Sequence, residues 1–348
     1  MGLEKLGNIV ISNSGKSLFK NITSKALSKS ANINLFSKPI KPIKGFEPLK
    51  RPKRLPKAPK KDTIKRLETL SLRRIKALQS KFLEPLKSGF EAKKAKLVEE
   101  YLEIGEKELA NHISKAKTPE QVSKILVQHD AGYFAKMTKK LNEFSLTETS
   151  RVKPLTLEQE QVLYGMKMQR GKLILAREKA LCLNSTKPEV IVAENILKTQ
   201  YGCEFVSLKD NEIIAKQVLK AFETAKKNNA PLPKNVIVSD FMTLEGENLF
   251  NGTILLNSKP ASLGENVLST TTDYHSVLHE ILHSSHPNLI AFSDKRIPKK
   301  FIDVKHNLSK YSSVAPTHET FTELNTKRMI EGLSPDEQEL FNYLNYFA

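Results

Sequence analysis

Two histidines four residues apart, His279 and His283, enclose Glu280 in the run His-Glu-Ile-Leu-His. On an α-helix, residues four apart lie one above the other with Cβ atoms about 5–6 Å apart, so both imidazoles can reach a single metal ion. Such a pair suits Zn²⁺, which takes nitrogen and oxygen ligands at about 2.0–2.2 Å and, in catalytic sites, leaves one position to water. Glu280, directly after the first histidine, is then placed to act on that water as a general base.

Two ligands make an incomplete site. The third is sought in His318-Glu319-Thr320-Phe321-Thr322-Glu323, where the spacing sets Glu319 and Glu323 on one face of a predicted helix. We assign Glu319 as the ligand and Glu323 as the carboxylate that accepts the free N–H of a ligand histidine and so fixes its tautomer. The plainer alternative is a pair of solvated helix-surface acids. A third histidine six residues past the motif, the other common arrangement, would fall at Leu289 and is absent. His286 stands before Pro287 and reads as a loop residue, whereas His275 continues the His279/His283 face one turn earlier. His275 is a candidate to support the ligands from behind, against the plainer reading of a satisfied or exposed histidine.

The elements that must position these groups follow from periodicity. Residues 1–61 hold fifteen Lys/Arg against Glu4 and Glu47, so most of the net charge of +18 sits in this Ser/Asn- then Pro/Lys-rich leader. It sustains no apolar period, and its spaced prolines forbid a continuous helix, so it is expected to be disordered. Lys50-Arg51-Pro52-Lys53-Arg54 has the form of a basic localisation cluster, and also that of a solvated linker.

From 62 to 185 apolar residues recur every three or four positions, which predicts an all-α region. Its expected helices are one or two long ones over 62–104 with Pro85 and Gly89 as interruptions, one from Thr118-Pro119 to about His129, one over 132–143, and one over 157–183. Residues 186–348 alternate, and the overall class is α+β. Helices are predicted over 189–199 and 210–227, and strands over 203–208, 235–239 and 253–257, the last preceded by an Asn251-Gly252 turn. The motif helix, capped by Thr272 or Asp273, ends before Pro287; one helix follows from Pro316 or Thr317 to about Gly332, and another starts at the capping box Ser334-Pro335-Asp336-Glu337.

No stretch approaches the roughly 20 apolar residues of a membrane span, and the N-terminus lacks an apolar secretory core. Cys182 and Cys203 are too few for a disulfide framework and are not in metal-ligand spacing, which suggests a reducing compartment.

The order strand 253–257, helix with His279-Glu280-x-x-His283, then helix with Glu319-x-x-x-Glu323 resembles the gluzincin metallopeptidases. The Glu-Thr-Phe-Thr-Glu segment is similar in form to the corresponding helix of lethal-factor-like bacterial toxin proteases. The match covers roughly residues 230–330 and departs from the extended motif at Ser285, where an apolar residue is usual. The resemblance implies a zincin-like domain over 186–348, with a small twisted sheet, an active-site helix and a glutamate helix. It implies one catalytic Zn²⁺ on His279, His283 and Glu319, Glu280 as base, and Glu323 orienting a ligand histidine. It also implies a tyrosine shortly upstream of the ligand glutamate as the oxyanion donor. Tyr311 is that candidate, with His306 and His318 competing for the role. In such folds the strand before the motif helix is the edge on which an extended peptide is bound, here 253–257.

The function expected is therefore zinc-dependent hydrolysis of a protein or peptide substrate. The chain would act in the cytoplasm or as an effector delivered into a target cell by a non-Sec secretion machinery that reads the leader. The alternative is a nucleic-acid-binding or targeting protein that works through the basic leader, with a vestigial metal site.

Overall fold

The computed structural model describes residues 75–145, 157–240, 245–259, 267–285 and 297–347. The leader and the start of the first predicted helix lie outside the described residues, as does His286.

Five helices come first: α1 (75–87), α2 (Phe90–Glu103), α3 (Lys107–Ser114), α4 (Pro119–Ser145) and α5 (Leu157–Leu181). Of the two expected interruptions, only Gly89 breaks the chain. It adopts φ +77°, a left-handed value that glycine takes without a Cβ penalty, whereas Pro85 is carried inside the last turns of α1. Thr118 Oγ1 accepts the Gln121 N–H at 3.3 Å, the cap its sequence predicts. Helix α4 then runs through Gly132 without a stop, in place of two separate helices. One interior glycine costs only about 1 kcal/mol against alanine, too little to break a helix packed on its neighbours. Leu86, Leu97, Tyr101, Ile113, Val122 and Leu126 from α1–α4 share a core with Leu173, Ala176 and Ala180 of α5.

A mixed four-stranded sheet follows. Helix α6 (Pro188–Thr199) leads to β1 (Phe205–Ser207), α7 (Glu212–Lys227), β2 (Asn235–Ser239), β3 (Gly246–Asn248) and β4 (Thr253–Asn257). Asn211 caps α7 by accepting the Ile214 N–H at 3.1 Å. The strand order is β1-β2-β4-β3, with β1, β2 and β4 parallel and β3 antiparallel to β4.

One expectation is overturned here. Thr253–Asn257 is an interior strand, paired to β2 on one side and β3 on the other, and the edge beside it is β3. The turn through Phe250 (φ +59°) and Gly252 (φ +78°) folds β3 back on β4 as a hairpin. Burial of Ile254, Leu255 and Leu256 on both faces is what an interior strand requires.

Side chains alternate across β2 and β4, so the two faces meet different helices. Val236, Val238, Ile254 and Leu256 join Val218 and Phe222 of α7 and Leu278 and Ile281 of the motif helix. Ile237 and Leu255 pack with Leu249 on the opposite face against Ile174 of α5. Helix α5 thus belongs to two cores, and the contacts of the helical region do not stop at residue 185.

The motif helix α8 (His275–Leu282) continues as a 3₁₀ turn, His283–Ser285. Its N-cap is Tyr274, with no side-chain cap from Thr272 or Asp273. After the short α9 (Ile302–Leu308) and α10 (Lys310–Val314), the glutamate helix α11 (Thr317–Ile330) packs on α8. Helix α12 (Pro335–Asn345) starts at a complete capping box between Ser334 and Glu337. Phe321 of α11 stacks on Phe341 of α12, with ring centroids 5.0 Å apart. No helix among the described residues is long and apolar enough to cross a membrane.

Candidate metal centre

Helix α8 has two working faces. Val277, Leu278, Ile281 and Leu282 are buried against the sheet and α7, which leaves His275, His279 and His283 as a stripe toward α11. The three histidines are 1%, 5% and 7% exposed. Buried imidazoles need partners, and α11 supplies them.

Glu319 Oε2 is the point of convergence. His279 Nε2 lies 3.0 Å from it, His283 Nε2 3.2 Å, and the Tyr311 hydroxyl donates to it at 2.8 Å. His318 Nε2 stands 3.3 Å from the other oxygen, Oε1. Two of the three oxyanion candidates are therefore at the site, whereas His306 is exposed on α9.

The tautomers follow from the outer contacts. Thr322 Oγ1 donates to the His318 carbonyl at 2.9 Å, so it accepts from His283 Nδ1, 3.3 Å away. Glu323 Oε1, which can only accept, lies 3.0 Å from His279 Nδ1. That contact is off the direction of an aligned hydrogen bond, and Nδ1 has no other partner among the described residues, so the attraction is one of charge rather than geometry. His279 and His283 thus both keep their Nδ1 protons outward and turn Nε2 toward Glu319.

Two lone pairs and a carboxylate facing one point need a positive charge between them. Either protons or a cation can supply it. Burial works against charge on His279, but Glu319 and Glu323 outweigh burial and hold its proton affinity well above the ordinary histidine range. Burial would likewise favour neutral Glu319, yet the neighbouring His283 and the bonds from His279, His283 and His318 hold it well below the usual carboxylate range. Burial, and then the charge of Glu319, push the Tyr311 phenol well above its ordinary value.

The donor set could hold a metal ion, and its spacing is one that zinc would accept. Two nitrogens and one oxygen on bonds of about 2.0–2.1 Å in a tetrahedron stand about 3.3 Å apart, close to the 3.0 and 3.2 Å separations from Glu319. A second trio, His275, His279 and Glu323, also brings its donor atoms within 4.8 Å of one another, and all three of its members are buried. Cys182 and Cys203 are free thiols outside both groups. Burial pushes Cys203 up to about 12, which removes it from thiolate chemistry at neutral pH.

Glu280 is held from the side of β3 and lies near enough for its charge to act on Tyr311. Its Oε2 accepts the Asn248 N–H at 2.7 Å, while Asn248 Nδ2 donates to the Glu280 carbonyl at 2.7 Å and to Ser284 Oγ at 3.0 Å. Asn248 Oδ1 also takes the Phe250 N–H at 2.8 Å. One asparagine therefore clamps the motif helix to the edge hairpin. Gly246 completes the fit, since a Cβ there would stand 2.5 Å from Glu280 Cγ.

The wall beside His283 comes partly from the helical region. Phe250 lies edge-on to His283 at 6.2 Å and packs on Tyr164 of α5 at 5.0 Å, with the Lys167 ammonium 4.8 Å from its ring centre. Arg170 of α5 donates to Glu247 at 2.7 Å.

The residue types of the motif did not disclose Asn248, Gly246, Phe250 or Tyr164. His275 carried a signal, its place four residues before His279. Comparison of the chain with family models, curated proteins and solved structures returns no match.

Proposed function

We propose that the chain is a zinc-dependent endopeptidase of the gluzincin type. The observation that carries this reading is the convergence of His279 Nε2, His283 Nε2 and Tyr311 Oη on one oxygen of Glu319, at 3.0, 3.2 and 2.8 Å. His279, His283 and Glu319 would hold the ion. Zn²⁺ in that position supplies Lewis acidity, which brings the pKa of a bound water toward about 7 and polarises a scissile carbonyl.

The residues of the chain do the rest. Asn248 N–H holds Oε2 of Glu280, which leaves Oε1 to take the proton of the attacking water and deliver it to the leaving amine. Tyr311 Oη, a donor already turned into the cluster, transfers its hydrogen bond to the developing oxyanion. Glu245 O and Leu249 N bond β4, so by strand alternation the main-chain groups of Gly246 and Asn248 point away from β4, beside Glu280. That outer edge of β3, rather than β4, is where an extended peptide would add as a strand.

The test combines metal analysis with turnover of a fluorescence-quenched peptide library. The expected result is one zinc per chain in the wild type and in Glu280→Ala, sharp loss of zinc in Glu319→Ala, and cleavage by the wild type alone. Undiminished zinc in Glu319→Ala would remove that ligand. A zinc-loaded wild type that cleaves no library member would sink the peptidase reading.

A further inference from the structure

Behind the ligands lies a second buried layer centred on Glu323, which is 0% exposed. Its Oε1 faces His275 Nε2 at 2.8 Å and His279 Nδ1 at 3.0 Å. Its Oε2 accepts the Ser269 N–H at 2.8 Å and the Ser309 hydroxyl at 3.3 Å. The same Ser309 oxygen caps α10 by accepting the Ser312 N–H at 2.9 Å, and α10 carries Tyr311. One carboxylate thus ties the loop 267–270, the motif helix and the Tyr311 helix together.

His275 decides how that carboxylate is held. Among the described residues the one aligned hydrogen bond to Oε1 comes from His275, because the His279 contact lies off its N–H direction. On its far side His275 Nδ1 lies 2.8 Å from Thr270 Oγ1. A hydroxyl that donates to Nδ1 leaves the ring proton on Nε2, where Glu323 needs it. The ring of His275 is nearly parallel to that of His279, 25° apart, with centroids at 6.2 Å.

We infer that His275 is a positioning residue of the metal centre: with Thr270 behind it, it anchors Glu323 Oε1 so that Glu323 holds His279 with its Nε2 lone pair on the ion. This rests on the reading of His279, His283 and Glu319 as metal ligands. The competing use of the same atoms, a second ion on His275, His279 and Glu323, is disfavoured by their geometry. Glu323 already has four polar neighbours, and the trio is 1%, 5% and 0% exposed, so no ligand position is left open to water.

The test uses the full chain and three variants: His275→Phe, which keeps the ring and loses both polar contacts, His275→Gln, which keeps a donor, and Thr270→Val. The readouts are zinc affinity by chelator competition, the number of metal equivalents bound, and the visible d–d spectrum of the cobalt-substituted protein. Outer carboxylate–histidine partners typically govern 10–100-fold in metal affinity. His275→Phe is expected to weaken zinc by about that factor and shift the cobalt bands, with His275→Gln restoring most of both and Thr270→Val giving a smaller loss in the same direction. If His275→Phe does not fold, the order wild type, Thr270→Val, His275→Gln in affinity and spectrum still decides. Wild-type affinity and spectrum in the variants would overturn the inference while leaving the ligand assignment intact. Two metal equivalents in the wild type, one of them lost with His275, would overturn it in favour of a second metal site. A wild type that binds neither zinc nor cobalt would overturn both this inference and the metal centre it rests on.

Discussion

Gly246→Ala perturbs Glu280 alone, since the three nearest atoms to the added Cβ all belong to its side chain. The added Cβ would lie 2.5 Å from Glu280 Cγ, 3.2 Å from Cδ and 3.3 Å from Oε1. Carbon atoms in contact sit about 3.5–4.0 Å apart, so the Glu280 side chain must retreat by about 1 Å. Gly246 is not among the residues with positive φ, so alanine adds no backbone strain there. It even narrows the unfolded ensemble, worth about 0.4–1 kcal/mol. Against that stands the charge-assisted bond from Asn248 N–H to Glu280, about 1.5–3 kcal/mol, which the retreat strains or breaks. The net cost is about 1–2 kcal/mol, a few degrees in melting temperature. On the proposed mechanism the rate suffers more, because a misplacement of about 1 Å in a reacting group can cost about 100-fold. The assay pairs the rate on a cleaved peptide with zinc stoichiometry and a thermal melt. The expected outcome is full zinc, a small shift in melting and a rate down by about 100-fold. A zinc-loaded variant that turns over at the wild-type rate would refute the role of this contact, and zinc lost in step with activity would move the damage from Glu280 to the ligands.

Three further outcomes are expected. Arg170→Ala leaves Glu247 partly buried beside Lys167 alone and should cost about 1–3 kcal/mol, less than a fully buried pair because both side chains retain some exposure. Burial raises the proton affinity of Glu247, but Arg170 and Lys167 outweigh it and hold the carboxyl below its usual range. The contribution is therefore present above the unfolded value of about 4.3 and fades as pH falls through the lower folded value, so the melting difference between wild type and variant should shrink at acid pH. An equal difference at pH 7 and pH 3 would contradict this. Ile237→Ala, at a fully buried position between the sheet and α5, should cost about 2–5 kcal/mol by denaturant titration. Ser334→Ala breaks the capping box of α12 and should lower stability by about 1 kcal/mol, measurable as a shifted denaturant midpoint at unchanged slope.

What could be read in the sequence was what rests on local spacing. His279, His283, Glu319 and Glu323 declare themselves because four-residue intervals on helices are visible in a string of letters. The strands 235–239 and 253–257 were legible from β-branched and apolar runs, and the caps at Asn211 and Ser334 from residue chemistry. Strand β3 was hidden because Gly-Glu-Asn has little strand preference and is held by its partners, namely β4 and Glu280. The misassigned edge followed directly from that omission. Asn248, His275 and Tyr164 act across 32, 48 and 86 residues of chain, on Glu280, Glu323 and Phe250 respectively, and no local pattern encodes such pairings.

The double membership of α5 bears on the order in which the molecule is made. All five helices of the first core precede every described strand, so they emerge first during synthesis, although their core joins residues 82–101 to residues 173–181 across a long stretch of chain. Ile174 then waits on the outer side of a helix already in place. Strands β2 and β4, joined by a parallel and slower pairing, arrive with Ile237 and Leu255 and find a surface ready to cover them. The order of the elements along the chain thus puts the helix that covers Ile237 and Leu255 ahead of the strands it covers.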